Sequence, residues 1–179
     1  DMKFRSLRAQ IGVALQEPYL WNDTIENNIR YAREDASLDD LIKVSKICGV
    51  DDFVSLLPEG YQTIMGENAC KISEGQKQKI AIARALIKKP VIFILDEATS
   101  SMDSASEERI IPKIKEFLPD TLLITASHRL STVESADLVY YLASTQDMAI
   151  DTPKNLLENN RGFIDLFFAD KNLQPYIKK

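Results

Sequence analysis

Ten residues, Val91-Ile92-Phe93-Ile94-Leu95-Asp96-Glu97-Ala98-Thr99-Ser100, hold the residue types best suited to chemistry. Five apolar residues, Val91 to Leu95, have the composition of a strand buried on both faces, as in the centre of a parallel α/β sheet. Two carboxylates follow at its C-terminal end, the edge at which open α/β sheets bind ligands. Mg²⁺ takes oxygen ligands and keeps several waters, so a single carboxylate there can hold it beside phosphates. Strand alternation would turn Glu97 away from Asp96, leaving it to orient or deprotonate a water. A buried strand that merely ends in a solvated acidic turn would show the same ten residues.

Upstream, Ile72-Ser73-Glu74-Gly75-Gln76-Lys77-Gln78-Lys79 leads into a helical pattern, Ile80 to Leu86, that stops before Pro90. Ser73 can cap that helix, Gly75 permits close backbone approach, and the helix N-terminus favours an anion. Ser-Glu-Gly-Gln resembles the Leu-Ser-Gly-Gly-Gln signature of ABC-type ATPases, and Val91 to Glu97 resembles their Walker B strand with its catalytic glutamate. Ser101-Met102-Asp103 matches the D-loop, Ser127-His128-Arg129-Leu130 the H-loop, and Gln16 stands where the Q-loop glutamine belongs. Five motifs in order, over about residues 5 to 165, make a specific combination, whereas each alone is weak. Glu74 departs from the signature's glycine and places a carboxylate near the expected triphosphate, a tuning change of about 1 kcal/mol if screened.

The resemblance implies an α/β, P-loop NTPase-like (RecA-like) partial parallel sheet with a helical subdomain inserted over residues 18–89. Residues 1–17 and 90–179 would form the catalytic core portion. It also implies ATP and Mg²⁺ as cofactors. Asp96 would carry the metal, Glu97 would act as base, and His128 would contact the γ-phosphate. Gln16 would sense metal and water, Ser73, Gly75 and Gln76 would serve the ATP site of an opposing domain, and Asp103 would communicate across that dimer. Expected partners are a transmembrane domain and a second nucleotide-binding domain, alike or different, at the cytoplasmic face of a membrane.

Two segments resemble the exporter branch. Trp21-Asn22-Asp23-Thr24-Ile25-Glu26-Asn27-Asn28-Ile29 is similar to its Phe-x-Gly-Thr-Ile-x-Glu-Asn-Ile run, and Thr63 to Glu67 to the segment that touches the transmembrane coupling helices. A helical insert without a partner would also fit residues 18 to 70. A soluble ABC-type ATPase of DNA repair would share the motifs, but its long coiled coil is missing between Gln16 and Ser73. A catalytically inactive interaction fragment is the remaining alternative.

Size and composition agree with one globular domain: 179 residues, 45% hydrophobic and 27% charged. The formal net charge of −5 gives no electrostatic footprint for nucleic acid. Cys48 and Cys70 are isolated and expected to be reduced thiols. No apolar run approaches the roughly 20 residues of a membrane span, so a membrane role is expected through a partner. No Gly-x-x-x-x-Gly-Lys-[Ser/Thr] occurs, and none of the six glycines precedes lysine. With 15 residues before Gln16 against about 30 for a strand–loop–helix phosphate unit, the chain is expected to be the later part of a nucleotide-binding domain, inactive by itself.

Among the other elements, Gln10 to Leu15 is predicted as a strand, Leu38 to Cys48 as a helix capped by Ser37 and stopped by Gly49, and Asp51 to Leu57 as another. Ser104 would cap a helix to Phe117, with a kink or break at Pro112, since an interior proline costs roughly 3 kcal/mol. Thr121 to Thr125 is predicted as a second buried strand. A hairpin over 138–142 and 148–151 and two closing helices follow, and the tail through Lys179 is expected to fray.

Overall fold

The computed structural model describes residues 4–66, 72–144 and 148–168. Glu67, Cys70 and the tail whose fraying was predicted lie outside them. The chain divides into two compact units, residues 1–126 and 127–179.

The first unit is built on three parallel strands, β1 (Ile11–Leu15), β2 (Ile92–Asp96) and β3 (Leu122–Ala126), in the order β1-β2-β3. A short helix, α1 (Phe4–Gln10), precedes β1. Registered triplets run Gly12–Phe93–Leu123 and Ala14–Leu95–Thr125 on one face. On the other they run Ile11–Ile92–Leu122, Val13–Ile94–Ile124 and Leu15–Asp96–Ala126. Phe93, Leu95 and Ala14 are buried, whereas Val13 is 47% exposed, Leu15 51%, Leu122 58% and Ile124 45%.

One apolar face of the sheet is therefore open. This corrects the expectations that Val91 to Leu95 is buried on both faces and that Thr121 to Thr125 is a buried strand. The residue types are those of doubly covered strands, but the first unit supplies cover to one side only.

That cover is helical. Between β1 and β2 lie α2 (Ile25–Arg30), α3 (Leu38–Cys48), α4 (Asp51–Val54) and α5 (Glu74–Leu86). Ser37 accepts from the Asp40 N–H, and Gly49 ends α3 at φ 69°, a left-handed conformation suited to glycine. The predicted helix over 51–57 is regular only to Val54. Ile80, Ile82, Ala83 and Leu86 of α5 join Leu41, Val44 and Cys48 of α3 and the sheet's Phe93 and Leu95 in one core. Each large side chain buried there contributes about 1.5–3 kcal/mol.

After β2 comes α6 (Ser104–Phe117), which adds Ile110, Ile111 and Ile114 to the core. Its N-cap is Asp103, not Ser104, because the Asp103 carboxylate accepts from the Ser106 N–H at 2.8 Å and the Ser106 hydroxyl at 2.6 Å. The helix runs through Pro112 without the predicted break. Pro112 and Glu108 lie on the exposed side, so the carbonyl deprived of its donor can reach water.

The second unit holds α7 (Leu130–Glu134), the predicted hairpin as antiparallel β4 (Val139–Leu142) and β5 (Met148–Asp151), then α8 (Pro153–Asn159) and α9 (Arg161–Phe168). Phe163 is buried there, edge-on to Tyr141 and Phe167. Among the described residues, no helix is long and apolar enough to cross a membrane.

Candidate functional site at the strand ends

The parallel register sets Leu15, Asp96 and Ala126 side by side at the carboxyl edge of the sheet. Gln16 and Glu97 are each one residue beyond that line on adjacent strands. Asp96 belongs to the open face and is exposed, so its carboxylate is available at the sheet edge. One accessible acid at the carboxyl edge of a parallel sheet suits Mg²⁺, which needs only one or two protein carboxylates when phosphates and water complete its shell. Among the described residues no cluster of three or more acids, histidines or cysteines offers an all-protein metal cage.

Glu97 does not follow strand alternation as predicted. β2 ends at Asp96, and Glu97 adopts φ 46°, a left-handed conformation uncommon for a residue with a Cβ. Two hydrogen bonds hold it there. Its N–H donates to the Ala126 carbonyl at 3.0 Å, and its own carbonyl accepts from the Ser100 N–H at 3.0 Å. The turn, rather than the pleat, sets where this carboxylate points. Such strained backbone concentrates at functional sites.

Ser73 caps α5 in a reciprocal capping box: its hydroxyl accepts from the Gln76 N–H, and the Gln76 side chain accepts from the Ser73 N–H at 2.9 Å. Glu74 is paired with Lys77 at 2.6 Å, which offsets part of the charge it brings to the signature. Gly75 is required by its neighbour: a Cβ there would come within 2.8 Å of the Ser101 carbonyl oxygen. Within this chain, then, the backbone that comes close to this glycine is the turn after the acids.

Sequence reasoning passed over the residue that joins these parts. Gln78 is 1% exposed. Its Nε2 donates to the Gln16 carbonyl at 3.0 Å and lies 3.2 Å from the Ser100 hydroxyl, and its Oε1 accepts from the Ser101 N–H at 3.0 Å. One amide thus fastens the signature helix to two strand-end loops. A polar residue on the inward side of an apolar helix pattern was the available signal, since a buried amide must find partners.

Asp103 follows the same turn. Hydrogen bonds from the Ser106 hydroxyl and then its N–H hold the Asp103 carboxyl below the usual carboxylate range. Behind it, buried Thr99 donates to the Glu107 carboxylate at 2.8 Å. Gln16, Asp96, Glu97, Ser73, Gly75, Gln76 and Asp103 all belong to the first unit. His128 is exposed in the second, two residues beyond Ala126.

The two exporter-like segments are also brought together. Thr24 bridges Ile64, the Ile25 N–H donates to the Thr63 carbonyl, and the Met65 N–H donates to the Asp23 carbonyl. Buried Asn28 closes the run by bonding the N–H and carbonyl of Trp21 and the carbonyl of Thr24. Tyr31 and Tyr19 pack on Trp21 and remain largely exposed.

Comparison with known proteins decides the lineage these features share: residues 1–100 match the ABC transporter family. The chain belongs to that family and has its P-loop NTPase fold. It is 41% identical over 166 residues to ABC transporter B family member 2 of Dictyostelium discoideum, covering 93% of this chain and 12% of that protein. Against the ATP-dependent lipid A-core flippase of Haemophilus influenzae it is 39% identical over 168 residues, covering 93% of this chain and 29% of that one. The solved structure of a bacterial Atm1-family ABC exporter with ATP bound matches at 34% identity and a TM-score of 0.89, over 95% of this chain and 30% of that one. The chain thus spans less than a third of the length of each of these relatives.

Proposed function

We propose that this chain carries the later part of the ATP-hydrolysing domain of an ABC exporter, and that the whole protein couples Mg-ATP hydrolysis to movement of a substrate across a membrane. The observation that supports this most directly is the pair of acids at the sheet's carboxyl edge. Asp96 stands at the rim of the open face, and Glu97 is locked in a left-handed turn beside it. The open face is the seat for the strand–loop–helix that cradles phosphates, supplied elsewhere in the whole protein.

Phosphoryl transfer asks for positioning and charge stabilisation rather than covalent help. In this reading Asp96 holds Mg²⁺, which neutralises charge on the phosphates when bound. Glu97 orients the attacking water and takes its proton, Gln16 senses the occupied site and reports it to the membrane partner, and His128 hydrogen-bonds the terminal phosphate. Ser73, Gly75 and Gln76 face the nucleotide of a second such domain, and Asp103 links the two. The exposed rings of Tyr19 and Tyr31, packed on Trp21, together with exposed Ile64, which bridges Thr24, are the docking surface for a transmembrane domain at the cytoplasmic face. Residues 18–89 act as the helical subdomain, set between the core portions 1–17 and 90–179.

The test uses the whole protein in lipid vesicles. Glu97→Gln is expected to lower ATP turnover by about 10²–10⁴-fold while nucleotide binding persists. Turnover at the wild-type rate would overturn the reading. For the 179-residue chain alone, titration calorimetry should find no tight Mg-ATP binding, because the amides and lysine of a phosphate loop are missing from its sequence.

A further inference from the structure

A second concentration of charge lies away from the strand ends. A cavity of about 70 Å³ opens where the last turn of α3 meets α5 and α6, lined by Lys46, Lys79, Arg109 and Lys113, one carboxylate, Asp52, and Ser106. Four cations against one acid is an unusual gathering in a chain of net charge −5.

Ordinary structural roles explain only part of it. Lys46 stands in the last turn of α3, where a cation meets the negative end of the helix. Lys79, Arg109 and Lys113 come from two other helices and have no such reason to converge. Among the described residues none of the four is in an ion pair, and neither is Asp52. Arg109 gives its Nε to the Ala105 carbonyl at 3.0 Å, which leaves both terminal amino groups available. Cys48, which also lines the cavity, offers no counter-charge, because burial pushes its thiol pKa up and keeps it neutral. Ser106 adds no free donor, because its N–H and its hydroxyl both go to the Asp103 carboxylate. Cations gathered around a shared space repel one another unless an anion stands between them.

We propose that this cleft is an oxyanion site that takes a phosphate group. Its volume holds a few waters or one tetrahedral anion, and lysine with arginine is the usual pairing for phosphate. The inference stands apart from the ATP reading, since none of the four cations belongs to the strand-end site and only Ser106 touches it, through Asp103. Lys79 does favour the ionised form of Asp103, so occupancy would be felt at the head of α6.

Two probes separate the sources of such a phosphate: inorganic pyrophosphate, and vesicles of phosphatidylglycerol with phosphatidylcholine vesicles as the neutral control. Both are titrated into the 179-residue chain at low ionic strength, where charge is least screened. Saturable pyrophosphate binding is expected, weakened about tenfold or more by Lys46→Ala with Lys113→Ala and unchanged by Lys154→Ala, which removes the same kind of charge elsewhere. Binding of pyrophosphate alone assigns a free oxyanion. Binding of anionic vesicles, lost in the same double variant, assigns a lipid phosphate. The site is overturned if neither probe saturates, if Lys154→Ala weakens binding equally, or if the double variant binds as the wild type does, as it would for pyrophosphate held at the strand ends. Circular dichroism checks that the variants, both at exposed lysines, remain folded.

Discussion

The two faces of the three-stranded sheet carry nearly the same residue types and meet opposite fates. Phe93, Leu95 and Ala14 are sealed, while one residue along each strand Val13, Leu15, Leu122 and Ile124 stand open. Hydrophobicity states a demand for burial, and supply depends on which elements reach that side. An uncovered apolar sheet face of this kind ordinarily marks an interaction surface. Here the accessible acid, Asp96, is at its rim, so the face and the chemistry point the same way.

The largest test of that contrast compares one residue from each face. Phe93→Ala should cost about 3–5 kcal/mol by leaving a cavity, while Ile124→Ala in the same chain should stay within about 0.5 kcal/mol. Denaturant titration measures both, and equal losses would erase the distinction. Leu122→Lys should likewise leave stability intact while reducing self-association and binding of a hydrophobic dye.

Next comes the polar tie on the covered side. Gln78→Ala removes the amide that satisfies the Gln16 carbonyl and the Ser101 N–H, and should cost about 1–3 kcal/mol. A loss below about 0.5 kcal/mol would mean that the strand-end loops are held by something else.

A smaller effect of opposite sign is expected at the turn beyond the acids. Glu97→Gly relieves about 1–2 kcal/mol of left-handed strain and adds about 0.4–1 kcal/mol of unfolded-chain entropy. Thermal unfolding of the 179-residue chain should show a gain of up to about 1.5 kcal/mol, even though the same change abolishes the proposed chemistry. A destabilised variant would show that the glutamate side chain, not the backbone turn, holds the site in shape.

The smallest shift concerns the head of α6. Because the Asp103 carboxyl titrates below its ordinary range when folded, its contribution is present above the unfolded pKa near about 4. It is lost as pH falls through the lower folded value. Melting temperatures of wild type and Asp103→Ala should therefore differ at pH 7, and the difference should shrink progressively as pH falls below about 4. A gap that persists in acid would tie Asp103's contribution to packing instead of charge.

Much of the architecture was legible in the residues because it rests on local rules. Ser37 and Gly49 bracket α3 as their side-chain and φ preferences require, and the hairpin of β4 and β5 pairs two short apolar runs close together in the chain. The strand-end position of Asp96 and Glu97 was readable for the same reason. Less legible was whatever depended on a distant neighbour. Gln78 looked like one polar residue in a helix until Gln16 and Ser101 came within reach of it, across more than 60 residues on one side. Asp103 and Ser104, by contrast, are equally good caps by type, and a local contact, from Ser106 three residues on, distinguished them.

By itself, then, the order of residues determined the strands and the acidic end of β2, since periodicity and spacing are properties of the chain alone, while its motifs carried the resemblance to the family. Tertiary structure decided which apolar face is covered, that Glu97 leaves the strand through a left-handed turn, and that four cations from three helices surround one cavity. Those outcomes depend on which surfaces meet, and packing between elements far apart along the chain settles that.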